Sequence, residues 1–164
     1  MIPTLQTERL TLRAPRMSDY EAFAGFYASE RSRDVGGPFD GAGAYRQLAA
    51  VAGHWLLAGF GWWVMEHEGQ PAGFAGIHHP PHKSGRELGW VLFEGFEGKG
   101  LALEATTAAR DWGHANLPKA PLSSYIIRGN HRSEKLAERL GARNTGAAGH
   151  NPEADAWLHP EAAA

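Results

Sequence analysis

The octapeptide Gly95-Phe96-Glu97-Gly98-Lys99-Gly100-Leu101-Ala102 carries the sharpest chemical signal in the chain. Glycines let a backbone turn tightly and present consecutive N–H groups, and a helix starting at Leu101 adds its positive dipole end. The combination is an anion site, and its spacing decides which anion. A Walker A loop needs Gly-x-x-x-x-Gly-Lys-Ser/Thr, but Lys99 is followed by Gly100 and Phe93 stands where the first glycine belongs. A dinucleotide fingerprint needs Gly-x-Gly-x-x-Gly, and counting from Gly98 the third position is Leu103. Both nucleotide readings fail. A second cluster, His78-His79-Pro80-Pro81-His82, sets out imidazoles that could bind a metal or act as bases. Its prolines hold the stretch extended and no carboxylate lies at ligand spacing, so no metal site is expected and a substrate-side contact is. Cysteine is absent, which excludes disulfides, thiolate nucleophiles and Cys-ligated zinc.

The elements that must position these groups follow from periodicity. Leu5 to Arg13 alternates as a half-buried strand and ends at Pro15. Ser18-Asp19-Tyr20-Glu21 reads as a capping box that opens a helix carrying Ala22, Phe23, Phe26 and Tyr27. Arg31 to Gly43 reads as a loop, and Ala44 to Leu57 as a helix with Leu48, Val51 and Trp55 on one stripe. Gly61–Glu66 and Gly73–Ile77 form an antiparallel hairpin around the turn at residues 68–71, and His78 to Arg86 is a further loop. Glu87–Phe93, the helix Leu101–His114 and Ser123–Ile127 make a βαβ unit with parallel strands. Ala102, Ala105 and Ala109 let that helix lie close to a sheet. Asn130 N-caps a helix over Arg132–Leu140, Gly141 ends it, and one weak strand, Ala154–His159, precedes a loose tail from Glu161 to Ala164. The fold class is α+β, or mixed α/β: a mixed sheet with helices on both faces.

The 164 residues read as a single domain, 1–164, and 43% hydrophobic with 21% charged residues is an ordinary globular balance. A net charge of −2 gives no footprint for gripping nucleic acid. The longest apolar run, Trp55 to Met65, is too short for a bilayer and is broken by Gly59 and Gly61, so no membrane partner is expected. Met1-Ile2-Pro3-Thr4 lacks the basic and apolar regions of a signal peptide, and a cytoplasmic monomer or homodimer is the expectation.

Glu97-Gly98-Lys99-Gly100-Leu101-Ala102 resembles the pyrophosphate turn of the GNAT family of N-acetyltransferases, written Gln/Arg-x-x-Gly-x-Gly/Ala, with Glu97 in place of Gln or Arg. Other motifs fall in the right order for the RimJ/RimL-like branch from Leu5 to Arg143, more loosely to Pro160. They are Leu5–Arg13, Glu87-Leu88-Gly89-Trp90, Leu103-Glu104-Ala105, Ser124-Tyr125-Ile126 and Asn130-His131-Arg132-Ser133.

The resemblance implies a GNAT-like fold, mostly antiparallel, in which acetyl-CoA lies between a splayed parallel pair, the family's fourth and fifth strands. Gly98, Lys99, Gly100, Leu101 and Ala102 would hold the pyrophosphate through backbone amides, provided the Glu97 carboxylate turns away. Backbone groups of Trp90, Val91 and Leu92 would hold the pantetheine and polarise the thioester carbonyl. Asn130 would face the pantetheine end, a role compatible with capping. An amine acceptor, from a protein N-terminus or a small molecule, would attack the thioester directly, with no metal. That chemistry needs a base and a proton donor. The tyrosine that many members place seven residues after the Asn is Ala137 here, so Ser133 becomes the candidate donor, its alternative being a polar residue in a helix's first turn. Glu87 becomes the candidate base, its alternative being a strand-edge ion pair, for instance with Arg9. Val35 to Tyr45, the hairpin aromatics and the last loop would form the acceptor pocket, with Trp62, Trp63, Phe39 and Trp157 as wall or core, and Arg31 to Arg33 as a solvated charge run. The rival from another class is an acyl-CoA-binding sensor that has lost catalysis.

Overall fold

In a computed structural model that describes residues 1–83 and 85–161, one mixed sheet organises the chain. Its strands are β1 (Leu5–Gln6), β2 (Thr11–Arg13), β3 (Trp62–His67), β4 (Gln70–His78), β5 (Arg86–Leu92), β6 (Leu122–Ile127), β7 (Arg143–Ala148) and β8 (Asn151–Leu158), in the spatial order β1-β2-β3-β4-β5-β6-β8-β7. Among the described residues only β5 and β6 pair in parallel; the other neighbours are antiparallel. The helices are α1 (Tyr20–Ala28), α2 (Gly41–Ala58), α3 (Leu101–Asn116) and α4 (His131–Arg139). The expected class and the βαβ unit β5-α3-β6 are both present.

Strand alternation builds a core on each face of the sheet. Trp63, Met65, Ala75, Leu88 and the small residues Ala105 and Ala109 of α3 bury together on one side. Phe23, Phe26, Val64, Phe74, Val91 and Phe93 bury on the other, with α1. Glu87 and Gly89 share the parity of Val91, which puts them on the α1 side.

Four local expectations are corrected. The segment Leu5 to Arg13 is a small hairpin rather than one strand, with Leu5 opposite Leu12. Its turn closes because the Thr7 N–H donates to the Leu10 carbonyl (2.9 Å) and the Leu10 N–H to the Thr7 hydroxyl (3.0 Å). Ser18 does not cap a helix. Asp19 accepts the Arg16 N–H at 2.7 Å and, buried, takes Arg13 in a bidentate pair at 2.8 and 3.0 Å, which anchors α1 to β2. The loop from Arg31 contains a 3-10 helix (Glu30–Val35), and α2 starts at Gly41 because the Asp40 carboxylate accepts the Gly43 N–H at 2.7 Å. The weak final strand is a full hairpin, β7 with β8, and β8 pairs along β6 from Ser123 to Ile127. The expected loose tail lies outside the described residues from residue 162 onward.

Candidate active site

β5 and β6 are ladder neighbours only at Arg86↔Leu122 and Glu87↔Ser123; beyond these pairs the strands part. At the vertex the Ser124 hydroxyl bridges the opening, donating to the Leu88 carbonyl at 2.6 Å and accepting from His159 Nε2 at 2.8 Å. Burial holds His159 neutral, its pKa lowered to about 4. Ser124 thus fixes the width of the gap at its narrow end.

Alternation decides which backbone groups look into the gap. The Leu88 and Leu92 carbonyls accept side-chain donors from Ser124 and Arg31, at 2.6 and 3.1 Å, while the Phe93 N–H goes to Ala72 beside β4. Trp90, in phase with Leu88 and Leu92, therefore turns its N–H and C=O into the gap, unclaimed by β4. Val91 is corrected on this point: its amide and carbonyl belong to the β4 ladder, and its side chain is core. Leu92 faces the gap, but Arg31 occupies its carbonyl.

The glycine turn stands at the open end. Gly98 and Gly100 have φ of +74° and +79°, the left-handed region that side chains disfavour. Gly100 is the residue before α3 and offers no side-chain cap, so the first N–H groups of α3 are left for an outside acceptor. The turn is fastened from behind. Arg9 donates to the Lys99 carbonyl at 2.7 Å and pairs with Glu104 of α3 at 2.7 Å, so Arg9 is spent here and not on Glu87. Glu97, the departure from the family pattern, accepts the Gly95 N–H at 2.9 Å and is paired with Arg31. Its charge is thereby neutralised beside the expected pyrophosphate. Arg31 is no solvated bystander: it ties the 3-10 helix to both β5 and the turn.

A solvent-open cleft of about 400 Å³ lies at the vertex and brings together Glu87, Trp90, Asn130 and Ser133, with Ser124 on its floor. Trp62, Tyr125, Asp34 and Val35 also line it. Among the four expected aromatics only Trp62 lines the cleft; Trp63 and Trp157 are core, and Phe39 stacks on Tyr27. Gly89 makes room for the Trp62 ring, since a β-carbon there would meet Trp62 Cζ2 at 2.2 Å. The Trp62 indole N–H is buried with no hydrogen-bond partner among the described residues.

Glu87 is 12% exposed, and burial raises its pKa, opposed by the ammonium of Lys83, which is ion-paired to it. His78 Nε2 lies 3.3 Å from the same carboxylate oxygen. Burial first, then the cation of Lys83, drives the His78 pKa down to about 3, so the imidazole beside Glu87 is neutral. His54 is locked by the Phe60 carbonyl on Nδ1 (2.6 Å) and the His79 N–H on Nε2 (3.1 Å). The histidine loop therefore supports Glu87, with His82 exposed. Among the described residues no group of three metal-ligating side chains converges. Asn130 caps α4, accepting the Ser133 N–H at 3.2 Å, while its Nδ2 donates to Asp34 at 2.8 Å. Contact between that amide and a ligand requires Asp34 to give way. The Ser133 hydroxyl has no hydrogen bond among the described residues and is open to the cleft.

Asp34, Arg31, Lys83 and Tyr125 were missed as site residues. Asp34, Arg31 and Tyr125 join the site through partners far along the chain, whereas Lys83 is four residues from Glu87, a spacing that could have marked it.

A strand gap with an unpaired backbone edge, an uncapped helix start at its mouth and a cleft at its vertex together offer a place for an extended ligand with an anionic end. The model of the acetyltransferase (GNAT) domain matches residues 9–143, and the chain belongs to that family. An acetyltransferase of Agrobacterium tumefaciens is 38% identical, with a TM-score of 0.92 over 98% of this chain and 96% of its own. An acetyltransferase of the GNAT family from Bacillus anthracis, 20% identical, shares the fold with a TM-score of 0.76 over 96% of each chain. RimL, a ribosomal L7/L12 alpha-N-protein acetyltransferase solved in complex with coenzyme A, shares it at 13% identity and a TM-score of 0.78, over 97% of this chain and 98% of its own. Family membership carries acyl transfer from acetyl-CoA, and no helix among the described residues is long and apolar enough to cross a membrane.

Proposed function

We propose that this protein is an N-acetyltransferase, a single domain over residues 1–164, that moves the acetyl group of acetyl-CoA to a primary amine. The acceptor is the α-amine of a peptide or protein, or a small-molecule amine, and the setting is the cytoplasm, as monomer or homodimer. One observation carries the reading: the cleft at the strand vertex holds a buried carboxylate, a gap-facing backbone N–H and a free hydroxyl together.

Gly98, Lys99, Gly100, Leu101 and Ala102 hold the pyrophosphate with backbone amides, aided by the helix dipole. Trp90 offers its gap-facing N–H and C=O to the pantetheine, Leu92 its N–H, and Asn130 closes over the end. The Trp90 N–H polarises the thioester carbonyl as the amine adds. Glu87 takes the amine proton, directly or through a water, and Ser133 returns a proton to the departing thiolate. No metal takes part. His78, neutral and 3.3 Å from the carboxylate, packs behind Glu87.

The test is CoA release followed with a thiol reagent against peptide N-termini and small amines; the chain has no cysteine, so it adds no thiol background. Release with one acceptor class establishes the activity and names the substrate type. Ala137, buried and without a hydroxyl where a proton donor is customary, favours one rival, an acyl-CoA sensor. Acetyl-CoA binding with no release across the panel selects it. Ser133→Ala should lower kcat by about 100-fold while acetyl-CoA affinity holds; an unchanged kcat removes Ser133 from the chemistry.

A further inference from the structure

The chain has four lysines, at 83, 99, 119 and 135, and three of them are exposed. Lys83 differs. Its side chain is 19% exposed, its ammonium is ion-paired to Glu87, and it stands 5.7 Å from the centroid of the Tyr125 ring. Glu87 and Tyr125 both line the cleft, so this ammonium stands at the cleft's edge on the very carboxylate proposed as the base. The backbone beneath it is fixed: the Lys83 N–H donates to the Pro80 carbonyl at 2.9 Å, and the Lys83 carbonyl meets His79 Nε2 at 3.1 Å. The loop presents a primary amine to the protein's own candidate base.

We propose that Lys83 is a self-acetylation site, modified at Nζ by acetyl-CoA bound in the same molecule's cleft. The inference rests on the reading of that cleft as an acetyl-CoA site with Glu87 as base. Glu87 accepts one proton from the ammonium, and the freed lone pair forms the C–N bond to the thioester carbonyl carbon. The C–S bond breaks, and the thiolate leaves with the second nitrogen proton as CoA thiol. The products are acetyl-lysine, CoA and one proton released from Glu87 to solvent. Charge on Lys83 falls from +1 to zero, so the Lys83–Glu87 ion pair is lost and the acceptor's seat at Glu87 changes character. Self-acetylation is therefore also a means of altering the mouth of the cleft.

Simple chemistry predicts the opposite order of labelling. A half-buried, ion-paired ammonium is a poorer nucleophile than an exposed lysine amine, so Lys83 should be the last residue modified without catalysis. The experiment incubates the purified protein with acetyl-CoA and maps acetyl-peptides by mass spectrometry over time. Lys83 is expected to label ahead of Lys99, Lys119 and Lys135, at a first-order rate independent of protein concentration. Glu87→Gln, which keeps the shape and an acceptor oxygen, should slow Lys83 labelling by about 100-fold and leave the other three unchanged. Lys83→Arg should abolish labelling at that position, and a non-enzymatic reagent such as acetyl phosphate should reverse the order. Labelling of Lys83 no faster than that of the exposed lysines, or indifferent to Glu87→Gln, overturns the proposal. CoA release with an external amine is read in the same samples. Turnover with Lys83 unlabelled overturns self-acetylation alone, whereas failure to bind acetyl-CoA overturns both readings.

Discussion

Gly89→Ala tests the division of the cleft into a cofactor side and an acceptor side. Gly89 lies in the regular β4–β5 ladder opposite Gly76, so alanine meets no backbone obstacle there. The new β-carbon would stand 2.2 Å from Trp62 Cζ2 and 2.7 Å from Cη2. Ordinary carbon contacts are about 3.5–4.0 Å, so the indole edge must retreat by about 1.5 Å. Phe74 and His78 pack against the ring, at centroid distances of 5.1 and 4.9 Å, and resist that movement. Overpacking of this kind costs about 1–3 kcal/mol. If the strain is relieved by displacing Trp62 into the acceptor wall, kcat/KM for the amine should fall by about 10–100-fold. Acetyl-CoA affinity should stay within about a factor of two, because the pyrophosphate turn is remote and independent. The assay is CoA release at varied amine, paired with calorimetric binding of acetyl-CoA. The melting temperature should drop by about 2–12 °C. Adding Trp62→Phe, which deletes the clashing atoms, should recover most of that loss. Equal losses in acetyl-CoA affinity and kcat/KM, or no loss in either, would refute the assignment of Trp62 to the acceptor wall.

Three further outcomes follow from the same geometry. Glu87 must be ionised to accept a proton and burial raises its pKa, so kcat/KM should fall with decreasing pH at a midpoint above the usual carboxylate range. Lys83→Met removes the charge that opposes burial and should move that midpoint higher; an unmoved or lower midpoint in the pH–rate profile contradicts Glu87 as base. Gly100→Val forces a branched side chain into a φ of +79° and over the amides of the turn. Loss of one hydrogen bond to a charged group is worth about 1.5–3 kcal/mol, so titration calorimetry should show acetyl-CoA binding weakened by about 10–100-fold, and unchanged affinity overturns the turn as the pyrophosphate site. Asp19→Ala leaves the Arg13 guanidinium, 5% exposed, without its bidentate partner. Breaking a buried pair costs about 3–5 kcal/mol, which chemical denaturation should register; a loss below about 1 kcal/mol would show that Glu66 alone satisfies Arg13.

Features set by residue type and short-range backbone preference were readable before folding. The glycine turn, the βαβ order and the Asn130 cap were legible because left-handed φ angles, alternation and capping are set within a few residues. The hairpin at Thr7, the start of α2 at Asp40 and the β7–β8 pair were misread, since each depends on a hydrogen bond that periodicity does not register. Tertiary structure alone decided the site's electrostatics. Whether Glu87 faced the α1 side, and whether Arg9 reached it, depended on pairings that close only when the sheet forms. Arg31 illustrates the reason most plainly. It looks like one charge in a solvated run, yet the fold carries it to a carboxylate 66 positions away, where the two charges meet beside the glycine turn.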